Sequence, residues 1–359
     1  MSIHTCPPEL IRLMVEDLSS DRAALRALTF TCKQLNYEAT RLLCTSVTMK
    51  DATSHLMYLR MLSENPCMAR LVRIYHFPET GDTERGKLWT LIRLSLPLMV
   101  NLRELLSPRT LPGRPKTRLL PIVEDGSVIP FQLERFIWMT KAPYHDPQRA
   151  LVFLGTQHKL KHLGWCVVAD PPSAKIPRTL SRLDAFSYCI PSLLSGRSIQ
   201  ELRWSSDDNS SAGYSSSLKL IECIVHMSDF RLLRVLSLST HLADLVLHQM
   251  CRQDVSPFVH LEVLMVDSLC LLKYDYFSQL FSKLPRVTRL VFPAPYAHGA
   301  HLITLPILKG LVRKAFKEIG NLQYVDVYFQ ELSGYRRWRY GLLLPEVLDM
   351  SADSMFLEL

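Results

Sequence analysis

The 359 residues are 48% hydrophobic and 21% charged, which excludes a disordered chain and allows a sizeable buried core. The net charge of +8 is not gathered into one block; the densest basic clusters are Arg313, Lys314 and Lys317, then Arg336, Arg337 and Arg339, the second offset by Glu331, Glu346 and Asp349. Split in this way, the excess points to solvated surface and excludes the long single-sign stripe of a nucleic-acid binder.

Nine cysteines stand singly, with no C-x-x-C pair and apolar neighbours around most of them. Buried free thiols in a reducing compartment are expected, hence a cytoplasmic or nuclear protein. Glu9 and two prolines occupy the place of a signal peptide's apolar core. The stretch from Leu88 to Val100 is too short to span a bilayer and is broken by Arg93 and Pro97, so no membrane association is expected.

In chain order, Pro7 and Pro8 open a first helix, because a missing N–H costs nothing in the first turn. Its apolar positions are 10, 11, 13, 14, 15 and 18, too many for one stripe, so it needs cover on most sides. Ser20 or Asp21 caps a second helix that carries Ala24, Leu25, Leu28 and Cys32 and contains the pair Cys32 and Lys33. A third apolar stretch over 36–44 carries Ala39, Leu42 and Leu43. Three helices in about forty residues form a marginal core. Either a partner covers them or they cap the rest of the chain.

Pro7, Glu9, Leu10, Ile11, Leu18, Leu25, Leu28, Cys32 and Lys33 make residues 1–48 resemble an F-box. The family has Leu where Cys6 stands, Trp where Leu35 stands, and an aromatic-ending pair in place of Leu43 and Cys44. The resemblance implies docking on the Skp-family adaptor of a cullin-based ubiquitin ligase. Pro7, Pro8, Leu10, Ile11, Met14, Leu25, Leu28 and Cys32 would make that contact.

Residues 49–70 form a connection. It is an amphipathic helix over 51–64, stopped where Pro66 disfavours helical backbone at Asn65. From 71 to 340 one pattern recurs: an apolar residue, two variable, one apolar, one variable, one apolar. It begins at Leu71/Ile74, Leu102/Leu105, Leu133/Phe136/Trp138, Leu160/Leu163/Trp165 and Leu180/Leu183/Ala185. It continues at Ile199/Leu202/Trp204, Leu233/Leu236/Leu238, Leu261/Leu264/Val266, Val287/Leu290/Phe292 and Leu322/Val325/Val327. The spacing runs from 19 residues (Leu180 to Ile199) to 35 (Val287 to Leu322).

The expected fold is therefore α/β: a small helical F-box-like module followed by an irregular leucine-rich-repeat solenoid, a horseshoe. Helices are predicted over 88–99, 147–157, 217–229, 241–253, 274–284 and 306–319, long loops over Ser107–Pro130 and Ser205–Ser217, and a tail or cap over 341–359. Trp138, Trp165 and Trp204 fall on inward strand positions and belong to the core.

No phosphate-cradling or nucleophile motif is present, so no catalytic residue and no cofactor is expected. His241, Asp244 and His248 share a helix face and read as a solvent-facing row or as a satisfied inner histidine rather than a metal site. The outward strand positions mix signs, which suits a protein target rather than nucleic acid. Arg135, Arg182, Asp184, Glu201, Arg203, Met265, Arg289 and Tyr324 are the target-binding candidates. Around Met265 the row turns apolar, as an adaptable patch or as surface covered by C-terminal segments. The function implied is a non-catalytic substrate receptor that brings its target to the ligase by proximity. The alternative is a repeat scaffold with no ligase association.

Overall fold

The computed structural model describes residues 6–48, 51–77, 85–107, 120, 129–138, 147–165, 176–186, 189–205, 228–252, 256–267, 277–293, 305–329, 334–340 and 345–348. It is mixed α/β and divides into two compact units. One comprises residues 1–169 with 175–177, the other 170–174 with 178–359.

The first unit opens with α1 (Pro8–Glu16), α2 (Arg22–Leu28) and α3 (Lys33–Thr45), packed around Ile11, Val15, Leu25 and Ala39. Asp21 caps α2 by accepting from the N–H groups of Ala23 and Ala24. The Thr29 and Thr31 hydroxyls then turn the chain by donating to the carbonyls of Arg26 and Leu28. Cys32 is thus the residue before α3 and Lys33 its first, a correction to the second helix expected from sequence. Arg41 of α3 reaches Glu38 at 2.7 Å and Glu16 of α1 at 2.8 Å, which ties the two helices together. α3 runs straight into β1 (Ser46–Val47), and β1 pairs in parallel with β2 (Ile74–His76). The helical module is therefore joined to the strands by backbone hydrogen bonds.

Between them lie α4 (Ala52–Glu64), capped by Asp51, and α5 (Pro66–Ala69), capped by Asn65. β3 (Glu104–Ser107), β4 (Arg135–Trp138) and β5 (His162–Trp165) follow, each parallel to the strand before it. α6 (Arg85–Ser95), a 3-10 turn at Leu96–Leu98 and α7 (Pro147–Gly155) stand in the connections where helices are predicted. Helix meets strand through aromatic rings: His55 against Tyr75, Trp89 against Phe77, Phe153 against Phe136. Such rings bury large apolar area and carry much of the core energy.

The first copy of the pattern is displaced. Val72, Tyr75 and Phe77 are buried, and Tyr75 is in register with Leu105, Phe136 and Leu163. Ile74, read from sequence as inward, lies beside Glu104 on the other face. A strand's side chains alternate, so this one-residue shift exchanges its two faces.

In the second unit β6 (Arg182–Phe186), β7 (Glu201–Ser205), β8 (Val235–Leu238), β9 (Val263–Val266), β10 (Arg289–Phe292) and β11 (Tyr324–Phe329) pair in chain order, all parallel. The connections hold α8 (Ile190–Leu194), a 3-10 turn at Ser228–Leu232, α9 (Thr240–Arg252), α10 (Phe277–Ser282) and α11 (Leu305–Glu318). β12 (Gly334–Arg339) and β13 (Glu346–Leu348) then add antiparallel strands after β11. The expected segment 217–227 lies outside the described residues, as do all of the two expected loops except Ser107, Leu120, Ile129, Pro130 and Ser205.

One hydrogen-bond arrangement marks the parallel steps from β2 to β5 and from β6 to β11: a single carbonyl accepts two successive N–H groups from the next strand. Arg73 O accepts from Arg103 and Glu104 at 2.8 and 3.0 Å, and Arg103 O from Glu134 and Arg135 at 2.7 and 3.1 Å. In the second unit Gln200 O accepts from Arg234 and Val235, and Thr288 O from Gln323 and Tyr324. The Asn101 and Asn321 amides add a bond to a carbonyl one step back, that of Arg70 and of Pro285 respectively. These contacts satisfy backbone N–H and carbonyl groups just ahead of the strands. Trp138, Trp165 and Trp204 are buried as expected.

Candidate docking surfaces

On α1 the apolar residues divide between two faces. Ile11 and Val15, four residues apart, point into the three-helix core with Leu25. Leu10, Leu13 and Met14 face solvent, 51%, 57% and 59% exposed. Pro7 and Pro8 are exposed beside them, and Phe30 and Tyr37 add exposed rings at 88% and 64%. The exposed apolar set of this small module is therefore larger than a few scattered side chains.

This corrects part of the expected adaptor surface. Ile11 and Leu25 are each 2% exposed and hold the module together, so no partner reaches them in this conformation. Leu28 is half-buried against the same core. Leu10, Met14, Pro7 and Pro8 are accessible where they were expected. Cys32 lines a groove of about 560 Å³ with Tyr37, Met68 and Leu71. Leu13, Phe30 and Tyr37 are additions. Leu13 was visible in the overfull apolar count of α1, whereas nothing in the local spacing singles out Phe30 or Tyr37.

Glu16 of α1 is paired with Arg12 of its own helix and Arg41 of α3. The Glu16 carboxyl is held below its ordinary range by hydrogen bonds from Arg12, at 3.0 Å, and Arg41. Burial pushes the Cys44 thiol up, so it is a neutral, unreactive side chain. Among the cysteines whose side chains are described, Cys6, Cys32, Cys44, Cys67 and Cys189 are free thiols.

The outward strand row behaves differently in each unit. In the first, Arg135 is half-buried and lies 3.5 Å from Glu104. Next to them His76, Leu106, Ile137 and Gly164 are in register on one face. Burial and the charge of Arg135 lower the His76 imidazole's pKa, which keeps that face neutral near physiological pH. In the second unit Arg182 lies 3.4 Å from Glu201, and Asp184 is in register with Arg203, giving an alternating charge pattern. Burial pushes the Glu201 carboxyl up, opposed by Arg182 and reinforced by Asp184.

Further along, the row is not available. Met265 is 2% exposed and sits in a second small core with Val235, Val263, Val291 and Tyr335, packed by Tyr328 and Leu348. The C-terminal strands cover this apolar patch, and Met265 is corrected from target-binding to structural. Arg289 and Arg337 both hold Asp326, which is fully buried. Tyr324 lies under the guanidinium of Arg337, 4.9 Å from ring centre to Cζ. Neither Arg289 nor Tyr324 is thus a freely presented contact.

The side chains of His241 and Asp244 lie outside the described ones, and His248 is exposed. Among the described residues no group of three or more His, Cys, Asp or Glu could hold a metal, and no helix is long and apolar enough to cross a membrane. No family model matches the chain, and no curated protein matches it either.

Proposed function

We propose that this chain is the substrate receptor of a cullin-type ubiquitin ligase. Its N-terminal helices dock a Skp-family adaptor, and its strand–helix units, read as a divergent leucine-rich-repeat solenoid, hold a protein target. The observation that carries this reading is the division of α1: Ile11 and Val15 complete the module's own core while Leu10, Leu13 and Met14 remain exposed on the same helix. A self-sufficient cap would have no reason to present three large apolar side chains to water. The double hydrogen bond that recurs at the parallel steps from β2 to β5 and from β6 to β11 supports the repeat reading. The half-buried candidates for target contact are the His76, Leu106 and Ile137 face of the first unit and the Arg182, Glu201, Asp184 and Arg203 pattern of the second. Ubiquitin transfer would be carried out by other subunits, with this chain supplying proximity.

A second reading, an interaction scaffold without ligase association, is favoured by Leu35 and Cys6. Both pack on the helical core, where the F-box family has Trp and Leu. Adaptor binding by the full chain, compared with a Leu13→Glu/Met14→Glu variant, separates the two.

A further inference from the structure

The two basic clusters separated in sequence meet in the second unit. α11 places Lys309, Arg313 and Lys317 four residues apart, on one helical face. That face and the end of β12 line a groove of about 1050 Å³. Arg339 at the end of the strand and Tyr340 just past it line the groove too, and among the described residues no acidic side chain lines it. Arg339 shares its charge with Glu346 at 2.7 Å. None of the ion pairs among the described residues engages Lys309, Arg313 or Lys317. Apolar surface accompanies the charge: Phe316 is half-buried and meets the exposed Tyr340 ring edge-on at 5.9 Å.

We propose that this groove binds an acidic extended peptide segment of a protein partner. Carboxylates would lie along the Lys309, Arg313 and Lys317 row, and an apolar side chain would rest against Phe316 and Tyr340. Charge complementarity selects the sign of the ligand, because an uncompensated cationic row steers and holds anions. The length selects a peptide. From Lys309 to Lys317 the helix rises about 12 Å, the span of about four extended residues. A single-stranded nucleic acid needs several exposed rings for its bases. Here Tyr340 is exposed, Phe316 half-buried, and Trp338 buried. The inference does not rest on the ligase reading, since the row acts without any adaptor.

The test uses the full chain and a short fluorescein-labelled polyglutamate peptide carrying one phenylalanine. Anisotropy should show saturable binding that weakens with added salt. A glutamine-for-glutamate version of the peptide should bind at least about tenfold more weakly. An Arg313→Glu/Lys317→Glu variant, changed only at two exposed positions and checked for an unchanged melting temperature, should lose affinity to the same extent or more. Phe316→Ala should weaken the phenylalanine peptide but not a pure polyglutamate. The proposal is overturned if the wild-type chain does not bind, or if the charge-reversed variant binds as well as wild type. Tighter binding of a matched oligothymidylate than of the peptide would also overturn it.

Discussion

Arg337 lays its guanidinium along the carboxylate of Asp326, with Nε 2.7 Å from Oδ1 and Nη2 2.9 Å from Oδ2. Arg289 reaches the same Oδ2 at 2.6 Å, and Asp326 itself has no exposed surface. The hydrogen bonds to Asp326 hold the Arg337 guanidinium above its ordinary pKa. The triad fastens β12 onto β11 and, with Tyr335, closes the outward face of β8–β10. Removing one partner of such a group leaves buried charge uncompensated. Asp326→Ala should therefore destabilise the protein by about 3–5 kcal/mol. Urea unfolding followed by tryptophan fluorescence measures it, and a loss below about 1 kcal/mol, the scale of a surface ion pair, would show that the triad is not structural.

Glu16 provides a pH-dependent tie between α1 and α3. Its folded pKa is lowered, first by Arg12 and then by Arg41, so its contribution is present above the ordinary carboxylate range and is lost as pH falls through the lowered value. Glu16→Gln should be less stable than wild type at neutral pH, and the gap in melting temperature should shrink steadily on acidification below the ordinary value of 4.5. A gap that stays constant down to acid pH would mean that Glu16 does not act through its charge.

Gly164 makes room for Ile137. A Cβ added at Gly164 would stand 2.7 Å from Ile137 Cδ1 and 3.3 Å from its Cα, so the isoleucine side chain must move. Gly164→Ala should cost about 1–3 kcal/mol in unfolding free energy, the range for overpacking. Ile137→Ala in the same chain should recover most of that loss, because it removes the colliding methyl groups. Additive losses in the double variant would place the strain elsewhere.

His55 and Tyr75 form a buried hydrogen bond of 2.9 Å between α4 and β2. Burial holds the Tyr75 phenol far above its ordinary pKa, so it stays neutral through the working pH range. Tyr75→Phe keeps the ring packing and removes the hydroxyl, and should cost about 1–3 kcal/mol by leaving the His55 ring nitrogen without that bond. Thermal unfolding at constant pH reads it. No change would show that another group takes over the bond.

Much of this architecture is legible in the sequence because a repeating strand imposes a period. The inward residues Phe136, Leu163, Leu183, Leu202, Leu236, Leu264, Leu290 and Val325 are buried as the pattern requires. Helices predicted between strands stand at α6, α7, α9, α10 and α11. The misreadings have local causes. Asn65 and Pro66 start the extra turn of α5, after which Val72 rather than Leu71 is buried, shifting the register by one residue. Thr29 and Thr31 end α2 early through side-chain bonds that hydrophobic spacing does not record.

The docking surfaces were harder to read. An apolar helix with residues on every side does not say which face is core, and only the packing of α2 and α3 assigns Ile11 inward and Met14 outward. For Met265 the sequence leaves an open patch and cover by C-terminal segments both possible, because that cover, Tyr335 and Leu348, lies 70 or more residues away in antiparallel strands outside the repeating pattern. The basic groove needed the tertiary structure altogether, since neither cluster is a site by itself.

Adaptor docking through the outer face of α1 is the central claim. The most direct measurement is co-purification of the full chain with a Skp-family adaptor, for wild type and for Leu13→Glu/Met14→Glu. Both residues are more than half exposed, so the substitutions leave the helical core of Ile11, Val15, Leu25 and Ala39 in place. The account predicts a stoichiometric complex for wild type and its loss in a variant that retains the wild-type melting temperature. A wild-type chain that fails to bind the adaptor, or a variant that binds it equally well, would contradict the account.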